Sequence, residues 1–225
     1  MKNLYLMAAL LVCSMGIAQN RTATKSSSNP VKFGLKLGVN IAKLTDSEGE
    51  NMTTTPRTGI NAGFYVNCKF ADAFAFQPEL LYTTQGINQK GFYGGTEVKT
   101  KYKFDYIAVP LMIKYYPNKN FNIEFGPQLG FMVNKEIEGK VFGETRSYDL
   151  DDFFKANGVK AKTNTFDFSL NFGVGTELEN GLNFGARYSL GMTKVFEGRD
   201  ITDIYGKPSD VRNSVFTFSM GYSFN

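Results

Sequence analysis

Between Thr163 and Met192 the chain alternates apolar and polar residues through two long runs joined by Asn180-Gly181. Phe166, Phe168, Leu170, Phe172, Val174 and Leu178 fill the even positions of the first run, against Asp167, Ser169, Asn171, Gly173, Gly175 and Glu177. Leu182, Phe184, Ala186, Tyr188, Leu190 and Met192 continue the pattern, against Asn183, Gly185, Arg187, Ser189 and Gly191. Strand side chains point alternately to opposite faces, so this period of two writes a ribbon with one greasy side and one polar side. Asn-Gly between two such ribbons predicts a tight type I′ hairpin turn. Both ribbons exceed the usual globular strand and are long enough, when tilted, to cross a bilayer.

The same alternation recurs along the chain. Phe33, Leu35, Leu37, Val39 and Ile41 oppose Gly34, Lys36, Gly38 and Asn40 within Lys32 to Ala42. A second strand is predicted from about Thr58 to Phe70. After Ala71-Asp72 a third sets Phe74, Phe76, Pro78, Leu80 and Tyr82 against Gln77, Glu79, Leu81 and Thr83. Pro78 cannot donate to a ladder, so a bulge is expected there. Gly86 to about Thr100 reads as a Gly-rich loop, Lys101 to Tyr116 as the fourth strand, Pro117 to Asn120 as a turn and Phe121 to Asn134 as the fifth strand. Lys135 to Lys162 is the longest predicted loop and Thr193 to Arg212 another. The last strand opposes Phe216, Phe218, Met220, Tyr222 and Phe224 to Val215, Thr217, Ser219, Gly221 and Ser223.

The connections alternate long and short. Eight antiparallel strands joined this way put every tight turn at one end and all the long loops at the other, the anatomy of a barrel spanning a bacterial outer membrane. Closure leaves no unpaired edge, which is the condition for strands to exist in hydrocarbon. A soluble barrel around an apolar cavity has the same period. The polar faces decide between them, because they carry mostly Gly, Ser and Asn, whereas a water-facing skin carries many Lys and Glu. Small residues also suit the crowded interior of an eight-strand barrel. Tyr82, Tyr115, Tyr116, Tyr188 and Tyr222 suit interfacial girdles. The expected fold is all-β: an eight-stranded antiparallel up-and-down transmembrane β-barrel with short periplasmic turns and four long external loops.

Met1-Lys2, the apolar run Leu4 to Val12 and the small residues Gly16 and Ala18 have the layout of a secretory signal peptide. Residues 1–18 are expected to be removed, 19–31 to form a flexible periplasmic leader and 32–225 to form the barrel domain in the cell outer membrane. The apolar run is too short to span as a helix. With Cys13 removed, Cys68 is left as a lone thiol on the greasy face, so no internal disulfide is expected. The 25 basic and 21 acidic residues are unclustered, which argues against a nucleic-acid partner.

Four short motifs carry a family resemblance. Tyr106-Ile107-Ala108-Val109-Pro110-Leu111-Met112-Ile113-Lys114-Tyr115-Tyr116 resembles a strand of the outer-membrane β-barrel domain proteins of Bacteroidota, the porin-like or PorT family. Phe33 to Asn40 is similar to that family's opening strand, Phe76 to Tyr82 to its Q-P-E-L strand, and Gly126-Pro127-Gln128-Leu129-Gly130 to its G-P-x-x-G strand. The resemblance implies location and fold, and brings no catalytic set. It also implies an insertion signal for the barrel insertion machinery in Tyr222 and Phe224, although Asn225 follows them here.

Lys36, Glu79, Lys114, Glu124, Asp167, Glu177 and Arg187 all fall on the inward phase and are expected to form a lumenal charge network, since buried charges need partners. Such a network plugs the lumen. The alternative is a narrow pore or transporter of small solutes. The chain contains no His, so no His base is available, and Asp149, Asp151 and Asp152 read better as loop acids than as catalysts. Asp46, Glu48 and Glu50 do not match an EF-hand spacing. Gly173-Val174-Gly175 lacks the third Gly of a nucleotide loop, and Asn51-Met52-Thr53 matches a glycosylation sequon that the resemblance to a bacterial family implies is a chance match. No cofactor, metal site or enzymatic activity is expected.

Asp149 to Asn157 reads as a short helix capped by Asp149, ended by Gly158, with Leu150, Phe153 and Phe154 on one face. That face is either an external contact or a lid on the barrel rim. The function expected is a structural or interaction barrel, monomeric, held by outer-membrane lipid and offering its loops to an external ligand or secretion partner.

Overall fold

A computed structural model describes residues 31–45, 52–93, 96–141, 144–156, 158, 161–198 and 211–224. The expected signal peptide, the leader before Val31, and Asp46, Glu48 and Glu50 lie outside the described residues. Along the chain the elements are β1 (Val31–Leu44), β2 (Met52–Ala71), β3 (Phe74–Tyr93), β4 (Thr96–Tyr115), β5 (Phe121–Val141), β6 (Glu144–Asp149), α1 (Leu150–Ala156), β7 (Ala161–Thr163), β8 (Phe166–Glu177), β9 (Leu182–Lys194), β10 (Phe196–Gly198) and β11 (Arg212–Phe224). Eight of the strands close an antiparallel ring in the order β1, β2, β3, β4, β5, β8, β9, β11, with β11 returning to β1. β6 continues the sheet beside the outer part of β5, and β7 pairs with β10.

The faces follow the alternation. Phe33, Leu37, Ile60, Phe64, Leu80, Val133, Phe172, Phe218 and Phe224 point away from the ring, Phe64 being 64% exposed. Lys36, Asn40, Gln77, Glu79, Asn122, Asn171 and Arg187 are buried inside it. A polar, packed interior with an apolar outside is the arrangement that hydrocarbon requires and water would penalise. Among the described residues no helix is long and apolar enough to cross a membrane; the strands make the crossing.

Several local expectations are corrected. Gly86 to Thr100 is not a loop: β3 and β4 run on as one hairpin to the pair Tyr93↔Thr96. Thr96, Val98, Thr100 and Tyr102 alternate there with Glu97, Lys99, Lys101 and Lys103, and this β-compatible period outweighs the nearby glycines. β5 likewise reaches Val141 and folds back on β6. No bulge sits at Pro78. The ladder to β2 lapses between Cys68↔Phe76 and Tyr65↔Glu79 and resumes in the same register, while Pro78 stays paired with Leu111 on its other side. A strand residue's N–H serves only one neighbour, so the missing donor costs one bond and no shift.

The turn at Asn180-Gly181 is longer than two residues. Gly181 N–H donates to Leu178 O at 3.0 Å and Leu178 N–H to Leu182 O at 2.7 Å, with Gly181 at φ +90°. That is a three-residue connection ending in a left-handed residue, a conformation glycine adopts without steric cost. Tyr116, expected in a girdle, points inward instead, one residue out of phase with the outward Tyr115.

Candidate functional site

The lumen is filled in tiers. Six strands supply the ionic belt: Lys36 from β1, Glu79 from β3, Lys114 from β4, Glu124 from β5, Glu177 from β8 and Arg187 from β9. The Arg187 guanidinium grips Glu79 through Nη2 at 2.8 Å and Nη1 at 3.0 Å, and reaches Glu124 through Nε at 2.7 Å. Lys36 Nζ lies 2.6 Å from Glu79 Oε1. Lys114 Nζ stands 3.9 Å from Glu124 and 3.7 Å from Glu177. Three cations thus face three carboxylates, so the belt is neutral as a whole.

Neutral groups complete the belt. Gln77 Nε2 donates to Glu79 at 2.7 Å, the Tyr116 hydroxyl donates to Glu177 at 2.7 Å, and Asn67 Nδ2 donates to Gln77 Oε1 at 3.0 Å and to Tyr116 Oη at 3.1 Å. Bidentate, charge-assisted bonds of this kind hold geometry as well as energy. Asp167, expected in this network, is not part of it. It sits apart with Asn213, Thr193 and Tyr106, over Gly130, where a Cβ would come within 3.2 Å of Asp167 and 3.5 Å of Tyr106.

Outward of the belt, Lys36 and Arg187 border a cavity of about 30 Å³ walled by Asn61, Gln85, Gln128 and Thr217 among others. This is room for water and no more. Asn40 organises the wall. Its Nδ2 donates to Thr83 Oγ1 at 2.8 Å and to the carbonyls of Ile60 and Thr84, while its Oδ1 accepts from Asn61 and Thr217, each at 2.9 Å.

An apolar lid closes the external mouth. Leu44, Ile87, Tyr102, Phe104, Tyr106, Met132, Ile137, Leu150, Phe154, Val195, Phe196 and Val211 form one buried cluster. β5 can contribute both Met132 and Ile137 because a register shift at Asp105/Tyr106 of the β4–β5 ladder changes which positions face inward. Phe196 is packed edge-on to both Phe104 and Phe154, with centroids 6.2 Å away in each case.

Leu150, Phe153 and Phe154, one of whose expected roles was an external contact, are therefore turned to the barrel. Leu150 and Phe154 are buried, and Phe153 is half-buried against Tyr148, which is 49% exposed. The helix is capped as expected: Asp149 Oδ1 accepts the N–H of Asp151 at 2.9 Å and of Asp152 at 3.2 Å.

Asp151 pins this lid. Its carboxylate accepts the N–H and hydroxyl of Thr163, each at 2.9 Å, and pairs with Lys135. Burial pushes its pKa up, but Lys135 and Thr163 outweigh that and hold it below the usual Asp range. The sign follows: a depressed carboxylate stabilises the lid above the unfolded value of about 4 and loses that contribution as pH falls through the folded value. Proteolysis at α1, or amide exchange there relative to its intrinsic rate, is expected to speed up as pH falls below about 4, and Asp151→Asn should remove most of that dependence.

Tyr222 and Phe224 face outward on β11, ring centroids 5.3 Å apart, in register with Leu35 and Phe33 of β1. Of the neutral partners, the sequence pattern alone does not single out Gln77, Asn67, Asn213 and Asn40, and it assigns Tyr116 to a girdle. Their signal was present, since each falls on the inward phase of its strand. Among the described residues no three His, Cys, Asp or Glu side chains gather as a metal cluster.

The family model for the outer membrane protein beta-barrel domain matches residues 17–197. The chain belongs to that family. Its place is accordingly the outer membrane. This outer-membrane barrel is similar to solved structures that include Ail, the attachment invasion locus protein of Yersinia pestis, at 12% identity over 87% of this chain and 100% of that one, TM-score 0.42. Neisserial surface protein A matches at 12% identity over 85% and 97%, TM-score 0.45. OprG from Pseudomonas aeruginosa matches at 16% identity over 87% and 94%, TM-score 0.42. A comparison with curated proteins finds no match.

Proposed function

We propose that this barrel is a closed anchor in the outer membrane that works by presenting its external hairpins and loops to a ligand or secretion partner, without conduction or catalysis. The observation that carries the reading is the double closure of the lumen, by the ionic belt around Arg187 and by the apolar lid under α1. A solute would have to break both, and the space between them holds little more than water. The extended β3–β4 and β5–β6 hairpins place exposed polar residues, with Tyr148 among them, beyond the apolar belt.

The chain is further assigned to the porin-like, PorT-type barrels of Bacteroidota on the four motifs. It is taken to be exported through a cleaved signal peptide ending at Ala18, recognised by the insertion machinery through Tyr222 and Phe224, and held by lipid as a monomer. Planar-bilayer recording of the pure protein is expected to show no sustained conductance. Large, stable channels would overturn the closed-anchor reading in favour of a pore. Capture of a surface ligand that is lost when residues 86–100 or 135–149 are shortened would support the role given to the hairpins.

A further inference from the structure

Among the described residues, the outward phase of the eight ring strands carries no Lys or Arg until the external end of the apolar belt. Beyond it, lysines begin at once. Lys43 follows Ile41 on β1 and Lys194 follows Met192 on β9, each exposed and one outward position past an exposed apolar residue. On the longer strands the series goes on: Lys103, Lys101 and Lys99 continue the phase of Ile107 along β4, and Lys90 that of Tyr82 along β3. At about 3.4 Å per residue and a tilt near 40°, these positions stand from roughly 5 Å to roughly 20 Å above the apolar belt.

Carboxylates share the lower part of this face. Glu138 lies 2.9 Å from Lys101 and 2.6 Å from Lys103, and Glu136 lies 3.6 Å from Lys103. One row further out the balance is lost. Lys90 is paired with Lys99 and Lys99 with Lys140, so three lysines stand directly opposite one another across β3, β4 and β5. Glu97 follows in the same phase on β4, one acid against three cations. Like charges opposed across a ladder destabilise it, and an anion laid across the row relieves that repulsion.

Two facts select the anion. This face is the one that the same strands turn to hydrocarbon lower down, through Leu80, Ile113 and Val133, so what lies against it is lipid. The headgroup layer of a common bilayer is only roughly 5–8 Å thick on each side, which reaches Lys43 and Lys194 but falls short of Lys90 and Lys99. We propose that this face binds a lipid of the external leaflet whose headgroup is an oligosaccharide carrying phosphates. Lys103 and Lys101 take a phosphate close to the acyl chains, and Lys90 and Lys99 one further out. Each lysine near an anionic surface adds to the attraction as a point charge on phosphate. The proposal goes beyond the closed-anchor reading and needs only the place in the outer membrane.

The test uses the refolded full barrel in detergent micelles, with native mass spectrometry to titrate bound lipid. Three probes are compared: a lipopolysaccharide with phosphorylated core sugars, the same lipid after removal of its phosphates, and phosphatidylglycerol. The phosphorylated form is expected to bind about tenfold or more tightly than either of the others, and a barrel combining Lys90→Gln, Lys99→Gln and Lys103→Gln is expected to lose most of that preference. Equal affinity for the phosphorylated and stripped forms, equal affinity for phosphatidylglycerol, or an unchanged preference in the triple variant would each overturn the proposal. If the variant does not fold, the three probes on the unaltered protein still decide it. A barrel that conducts yet prefers the phosphorylated lipid sinks the closed-anchor reading and leaves this lipid site standing.

Discussion

Arg187→Met is expected to destabilise the barrel by about 3–5 kcal/mol, the usual cost of removing one partner from a buried ion network. The reason lies in what is left behind. Glu79 would keep Lys36, but Glu124 would retain only Lys114, at 3.9 Å, and both carboxylates would lose their shortest guanidinium bonds. Denaturant unfolding of the refolded protein in micelles measures the loss. Exchanging Lys36, Glu79, Glu124 and Arg187 together for apolar residues of similar volume is expected to cost far less, because desolvation of the ions disappears along with their attraction. An Arg187→Met protein as stable as its parent would show that the belt does not hold the ring together.

Phe172→Arg is expected to cost about 2–4 kcal/mol, the penalty for a cation at mid-membrane on the lipid face of a barrel. Phe172 lies midway along β8, is 48% exposed and packs at a tilt against Phe125 with centroids 5.0 Å apart. In a water-soluble barrel of the same shape this exposed substitution would change stability by only about 0.5 kcal/mol, so the experiment reports directly on which medium surrounds the ring. Phe172→Leu, which keeps an apolar group at the site, should fall within roughly 1.5 kcal/mol of the parent. Refolding into lipid vesicles followed by equilibrium unfolding provides the number.

A period of two was enough to assign nearly every outward and inward side chain, because in a closed ring the phase of each strand is set by the medium on either side. It put Lys36, Glu79, Lys114, Glu124, Glu177 and Arg187 in the lumen, where the structure joins them. Phase does not say which inward residues meet, since contact across the axis depends on the stagger between strands. That is why Asp167 was grouped with cations it never approaches, and why amides such as Asn40 and Gln77 went unnamed as partners. Tyr116 was misread for a different reason: its identity suggested a girdle, although Tyr115 facing out already required Tyr116 to face in. The run from Thr96 to Lys103 was legible by the same rule and was hidden by the glycines around it. The inward turn of α1 was the hardest to see, because a short amphipathic helix states that it has an apolar face but not what covers it.

The four neighbouring strands β2 to β5 run 20 or 21 residues, while β8, β9, β11 and β1 run 12 to 14. At about 3.4 Å per residue and a tilt near 40°, the difference amounts to a parapet roughly 20 Å high along one half of the rim. Among the described residues the barrel therefore has a tall back and a low front, and a large visitor from outside the cell meets the capped mouth from one quarter only.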